Sequence, residues 1–139
     1  PGTHGVILDF KNKLKATKDV LNVLGDGSQK KSYLHVSELV SAMIYVSGRV
    51  TDTKSAMIIN VGCDDDGILV SDIATIVRDI VSPQATIVYG DGTRGWLGDV
   101  PKFSYDISQL KALGWLPKYT SREAVVKAAK ELCLDTFEM

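Results

Sequence analysis

Charge of one sign is scarce in this chain of 139 residues: 16 lysines and arginines stand against 17 acidic residues, for a net charge of −1. That balance speaks against a nucleic-acid binder, which carries a concentrated positive field. The basic cluster Lys11, Lys13, Lys15 and Lys18 reads as a solvated helix face. Long apolar runs are missing too. No stretch approaches the ~20 apolar residues of a membrane span, and no signal-peptide pattern is visible, so a cytoplasmic protein with no membrane partner is the expectation. Cysteine is limited to Cys63 and Cys133, far apart and without CxxC or histidine spacing. They read as buried, reduced thiols rather than a disulfide or zinc site. The acidic run Asp64-Asp65-Asp66-Gly67 lacks the alternating ligands and downstream glutamate of an EF-hand loop. It reads as a solvated turn, and no metal is expected.

A dinucleotide cradle is also missing. Gly90-x-Gly92-x-x-Gly95 has the spacing of the fingerprint, yet it runs on through Trp96, Gly98 and Pro101 without a helical pattern. The fingerprint works by opening a helix whose N-terminus receives the pyrophosphate, so this loop is not one.

What is present is an alternation of strands and helices. Val6, Ile7, Phe10 and Leu14 form a helical stripe. Apolar runs at 20–24 and 32–36 flank Gly25-Asp26-Gly27, which predicts a hairpin. Ser37 is placed to cap a helix with Leu39, Val40, Met43 and Ile44 inward. The continuous apolar run 57–61 predicts a strand buried on both faces. Ser71 is placed to cap the clearest helix, with Ile73, Ile76, Val77, Ile80 and Val81 on one face. A strand at 85–89 follows, then the glycine loop, then a short helix over 107–113 stopped by Gly114 and Pro117. Thr120-Ser-Arg-Glu123 is a capping box opening a last helix with Val125, Ala128, Ala129 and Leu132 inward. The pattern predicts one α/β domain over 1–139 with partly parallel pairing.

Two glycine-rich loops hold the candidate chemistry. Gly25-Asp-Gly27-Ser-Gln29-Lys-Lys31-Ser-Tyr33-Leu-His35-Val36 resembles the Gly-Asp-Gly-x-Gln-x-Arg-Asp-Phe/Tyr-x-x-Val segment of the extended short-chain dehydrogenase/reductases, the NAD-dependent nucleotide-sugar epimerases and dehydratases. Ile59-Asn60-Val61-Gly62 resembles that family's Asn-Ile-Gly strand end. Arg94-Gly-Trp96-Leu-Gly-Asp99-Val100 resembles its Arg-x-Gly-Asp loop with two extra residues. Asp106-Ile-Ser108, followed by Leu113-Gly114-Trp115-Leu-Pro117, resembles its closing signature, and Thr3-His4-Gly5-Val6-Ile7 resembles the segment after its Gly-Pro turn. The motifs occur in the family's order over almost the whole chain.

The resemblance implies the C-terminal substrate-binding lobe of such an enzyme, with mixed short strands and helices and without the Rossmann core. The family's catalytic Tyr-x-x-x-Lys pair has no match, since none of Tyr33, Tyr45, Tyr89, Tyr105 and Tyr119 has a lysine four residues on. No catalytic residue is therefore assigned, and the chain alone is expected to be inactive. By resemblance, Arg94 and Lys31 would bind a substrate diphosphate, with Lys31 standing where the family has arginine. A lysine keeps the charge and loses the bidentate fork; its other reading is an exposed strand lysine. Asp99 would sit near the sugar or ribose, or simply cap its loop. Asn60 would meet ligand at a strand end or hold a turn. Val6 and Ile7 would lie near the nucleobase or in the core. Trp96 could cover a ligand, whereas Trp115 is expected to pack against the last helix.

The implied partners are a nucleoside-diphosphate sugar, with a UDP-sugar and epimerisation leading, and the N-terminal half that would bind NAD. None of that cofactor is expected on this chain alone. A homodimer of the parent enzyme is a further expectation. The alternatives are a dehydratase lobe and a stand-alone, non-enzymatic nucleotide-sugar-binding or accessory domain.

Overall fold

The computed structural model describes residues 5–49, 56–95, 100 and 102–134. In chain order the elements are α1 (Val6–Ala16), β1 (Val20–Val23), β2 (Lys30–Lys31), α2 (Val36–Ser47), β3 (Ile68–Leu69), α3 (Val70–Val81), β4 (Thr86–Tyr89), α4 (Ser108–Ala112) and α5 (Ser121–Leu134). The strands form two separate pairs, β1 parallel to β4 and β2 antiparallel to β3. Among the described residues no helix is long and apolar enough to cross a membrane.

The larger core joins α1, α3 and α5 over β1. Phe10 and Leu14 of α1, Leu21 and Val23 of β1, Ile73 and Val77 of α3, and Val125 and Ala129 of α5 are buried together. Ile76, Ile80 and Val81 pack around them, so the single-faced pattern of α3 predicts its burial correctly. In α5, Ala124 joins Val125 and Ala129 inside, while Leu132 is exposed. The smaller core gathers Ala42, Ile107, Leu110 and Trp115, with Leu34, Tyr45, Val46, Ile59 and Val61 against it. Trp115 is a core residue as expected, but it is seated with α2 and α4 rather than against the last helix, and its Nε1 donates to Ser41 Oγ at 3.4 Å.

Helix ends obey local chemistry. The Thr120 N–H donates to Glu123 Oε2 at 2.8 Å and the Glu123 N–H returns to Thr120 Oγ1 at 3.3 Å, a complete capping box. α4 ends in a Schellman turn: Gly114 N–H bonds to Lys111 O (2.8 Å) and Trp115 N–H to Leu110 O (3.2 Å). Gly114 has φ +91°, a conformation that glycine adopts without strain.

Five more expectations fail here. The 20–36 hairpin does not form, because β1 takes a distant parallel partner and residues 32–35 have no strand structure. Ser37 does not cap α2; His35 does, its Nδ1 accepting the Ser37 N–H at 3.3 Å. α3 has no side-chain cap at Ser71; the Val70 and Ser71 N–H groups donate instead to the carbonyls of Gln29 and Gly27. Most consequentially, Leu39, Val40, Met43 and Ile44 face outward, and the expected strand at 57–61 is an unpaired segment with Ile58 86% exposed.

The physical reason for the turned α2 is Glu38. It is buried, and its Oε1 accepts the N–H groups of Lys118 and Tyr119, which would otherwise be orphaned. Anchoring Glu38 inward brings Ala42, Tyr45 and Val46 inward too, at helical spacing. Tyr45, the tyrosine with Arg49 four residues on, donates to Leu113 O at 3.1 Å and lies under the Arg49 guanidinium at 3.4 Å.

A carboxylate also ties the 63–67 turn to α5. Asp65 accepts from Ser121 Oγ (2.7 Å), the Ser121 N–H and the Gly67 N–H (2.8 Å), and Ser121 Oγ accepts the Tyr33 N–H at 3.2 Å. The acidic run is thus a structural knot rather than a merely solvated turn. Burial alone would raise the Asp65 carboxyl, yet the Ser121 and Gly67 donors outweigh it and hold the group below its ordinary 3.8. A folded-state value below the unfolded one gives stability that is complete above the unfolded value and lost as pH falls through the folded one. Asp65→Asn is expected to cost about 1–3 kcal/mol at pH 7 and to make the remaining stability less acid-sensitive below pH ~4. Urea melts of both proteins at pH 7 and pH 3 check this, and an unchanged pH 7 midpoint would refute it.

Candidate functional site

The parallel register Val20↔Thr86 through Val23↔Tyr89 places the carboxyl ends of β1 and β4 at one edge. Each strand exits there into a glycine loop. Open α/β proteins bind ligands at such an edge. The two loops are joined to each other: Gly90 N–H bonds to both Val23 O and Gly25 O at 3.0 Å, and Asp26 N–H to Gly92 O at 2.7 Å. Reading the two loops together is therefore correct.

Their glycines serve this contact directly. Gly25 and Gly27 have φ of +73° and +78°. A Cβ on Gly25 would stand 2.7 Å from the Arg94 carbonyl oxygen and overlap the Gln29 amide. One on Gly27 would strike the Tyr89 ring at 2.6 Å. Close approach of loop to loop, before any ligand is considered, already requires glycine at both positions.

Around this junction the candidate residues divide. Arg94 is exposed, its backbone against Gly25. Lys31 is partly buried in β2, paired with Ile68, on the connection that begins at the first loop. Its neighbour Lys30 forms an ion pair with Asp66 at 3.7 Å. Asn60 is held elsewhere, its Nδ2 donating to Asp106 O at 3.2 Å near the entry of α4. Val6 and Ile7 lie on the first turn of α1 and pack against the larger core. Asp99 and Trp96 lie outside the described residues.

Hydrogen bonding and burial act on the polar groups near the loops. The Asp26 carboxylate accepts the Ser28 N–H at 2.8 Å, and hydrogen bonding to Ser28 lowers its pKa. Burial, then the nearby Asp72, raises the Tyr89 hydroxyl. His35 is buried and engaged on both nitrogens, by Ser37 at Nδ1 and by Glu131 Oε2 at 2.9 Å from Nε2. With the Ser37 N–H donating to Nδ1, the network assigns the ring hydrogen to Nε2.

Gln29 is the residue that sequence reasoning passed over. It is 1% exposed, and neither its amide oxygen nor its amide nitrogen has a hydrogen-bond partner. It sits against Gly25 inside the loop junction. The sequence marks it only as the glutamine of the Gly-Asp-Gly-x-Gln resemblance; amid glycine, serine and lysine it carries no burial signal.

Residues 1–62 match the family described as NAD dependent epimerase/dehydratase. A UDP-galactose 4-epimerase of known structure superposes with a TM-score of 0.79 and 33% identity, over 96% of this chain and 41% of that one. The chain is a relative of the NAD-dependent nucleotide-sugar epimerases and dehydratases. Probable GDP-L-fucose synthase 1 of Oryza sativa subsp. japonica is 28% identical over 112 residues, 78% of this chain and 31% of that protein. UDP-glucuronic acid 4-epimerase from Bacillus cereus, solved with UDP-glucuronic acid and NAD, shares the fold at a TM-score of 0.68 and 16% identity, over 93% of this chain and 40% of that one. The chain thus spans about a third of its curated relative and two fifths of the solved epimerases.

This epimerase relative offers no cradle for a dinucleotide pyrophosphate among its described residues. The helix that directly follows a strand is α3, and its first N–H groups are already spent on the Gln29 and Gly27 carbonyls. The glycine loop after β4 opens no helix through Gly95. Neither of these two elements therefore presents a free helix N-terminus to a pyrophosphate.

An orphaned buried amide costs more than an apolar group of the same shape. Gln29→Met is therefore expected to stabilise the ligand-free chain by up to about 1 kcal/mol. A thermal melt checks it, and a lowered midpoint would show that the amide is satisfied in solution.

Proposed function

We propose that this chain acts as one domain, the C-terminal nucleotide-sugar-binding lobe of an NAD-dependent sugar epimerase, with a UDP-sugar as ligand. The supporting observation is the junction of two glycine loops at the carboxyl ends of β1 and β4, with Arg94 exposed on one loop and Lys31 on the connection from the other. A diphosphate calls for charge-assisted donors, and arginine supplies a planar fork matched to its oxygens. Arg94 is the principal diphosphate ligand in this reading and Lys31 the second, as a point charge.

Asp99 is assigned to the sugar or ribose hydroxyls. Asn60 contributes from the smaller-core side, where its amide already braces residue 106. Val6 and Ile7 would offer the nucleobase only the surface their core packing leaves free. Similar structures were solved with NAD, and in this reading that cofactor, with the hydride chemistry it provides, belongs to a half that this chain does not span. This chain's own part is to bind and orient the nucleotide sugar.

Isothermal titration of the chain with UDP-glucose tests the reading. Arg94→Ala is expected to weaken binding at least about tenfold, or ~1.4 kcal/mol. Arg94→Lys should recover part of the loss, because charge returns without the fork. Equal binding by wild type and Arg94→Ala removes the assignment.

A further inference from the structure

The buried amide of Gln29 has neither of its atoms hydrogen-bonded among the described residues. Its main chain, by contrast, is fixed. Gln29 directly precedes β2, and its carbonyl accepts the Val70 N–H at 2.9 Å. The next residue, Lys30, pairs with Leu69 of β3 and also bridges to Lys102. The side chain is aimed at the second glycine loop. A Cβ built on Gly25 would overlap Gln29 Nε2 and stand 2.7 Å from the Arg94 carbonyl oxygen. A donor and an acceptor therefore stand around the space that Gly25 leaves open, without bonding to each other.

A buried donor left unpaired carries its desolvation cost in full. A movement that brings the two atoms within bonding distance is therefore favourable, and the main chain of Arg94, on an exposed loop residue, is the side that can supply it. Gln29 and Lys31 are two residues apart on an extended stretch, so they share one side of the chain. A ligand held by both Arg94 and Lys31 would draw the Arg94 main chain toward the amide.

We propose that Gln29 is a positioning residue for Arg94: when a diphosphate bridges Arg94 and Lys31, the loop closes until Gln29 Nε2 donates to the Arg94 carbonyl. The inference rests on reading the loop junction as a diphosphate site, and it adds the group that sets the geometry of that site. Gln29 touches no ligand atom. It holds the backbone from which the guanidinium reaches, and Gly25 keeps the path of the bond clear. Closure removes the orphaned donor only in the bound state, so this bond favours that state selectively. One residue then has opposite effects on the free and the bound protein: its amide destabilises the first and braces the second.

A double-mutant cycle in UDP-glucose binding tests this, by isothermal titration of wild type, Gln29→Met, Arg94→Ala and the double variant. A thermal melt of each protein establishes that it is folded. Gln29→Met is expected to weaken UDP-glucose binding about fivefold while melting no lower than wild type. In the Arg94→Ala background the same substitution should change the affinity less than about twofold, because the amide acts only through Arg94. A loss of equal size in both backgrounds would overturn the proposal, since Gln29 would then contact the ligand itself. Unchanged affinity of Gln29→Met would overturn it as well and would leave Arg94 standing as the diphosphate ligand. No binding of UDP-glucose by wild type would remove the diphosphate site and the brace together. NMR of the side-chain amides reads the bond directly, with the Gln29 resonances assigned by their absence in Gln29→Met. Saturating UDP-glucose should move one Gln29 amide proton downfield in wild type and leave it in place in Arg94→Ala. A Gln29 amide that does not respond in wild type counts against the proposal.

Discussion

The parallel pairing of β1 with β4 is the constraint on which the rest of the site depends. A four-residue register, between one strand that ends at Val23 and another that begins at Thr86, would mean little for stability alone. Its consequence is directional. Parallel strands end at the same edge, so two loops far apart in sequence must leave side by side. Hairpin pairing of β1 with the following segment would have sent the 25–29 loop around a tight turn and left the 90–94 loop without a partner. The bonds from Gly90 to Val23 and Gly25, and from Asp26 to Gly92, exist only because the strands run together.

A second layer of order comes from polar groups that fix irregular segments. Asp65, Ser121 and the Tyr33 N–H link two irregular stretches, around residues 63–67 and 32–35, to the start of α5. Glu38 does the same for residues 118–119. Each carboxylate satisfies several backbone donors at once, which replaces the ladder that a larger sheet would have given. Gln29 stands against this pattern as a buried amide without a partner. Its place at the loop junction puts an unsatisfied buried amide beside the proposed ligand site.

What could be read from sequence follows the range of the forces involved. α3 was legible because a strong single-face period needs only the residues of the helix itself. The capping box at Thr120 and the stop at Gly114 are short-range chemistry, complete within a few residues, and both appear as read. The hairpin misled because Asp-Gly between apolar runs signals a turn without naming the partner strand. Here Asp26 bonds locally to Ser28 and the chain turns, but β2 goes to β3. At the site, the two loops and their glycines were visible, whereas the tethering of Asn60 to residue 106 and the burial of Gln29 needed three dimensions.

The failures at α2 and at 57–61 are of another kind. Both segments are apolar enough to be core by any pattern rule, and both keep apolar side chains in solvent. Both also reach the smaller core, through Ile59 and Val61 on one side and Ala42 and Tyr45 on the other. Hydrophobic patterning records the environment a segment has in its complete assembly, because burial there is what offsets the conformational entropy of ordering it. The period of α2 carries two apolar sides, and the described residues pack against only one of them. The mismatch between pattern and exposure thus marks the apolar surface that the described residues leave uncovered.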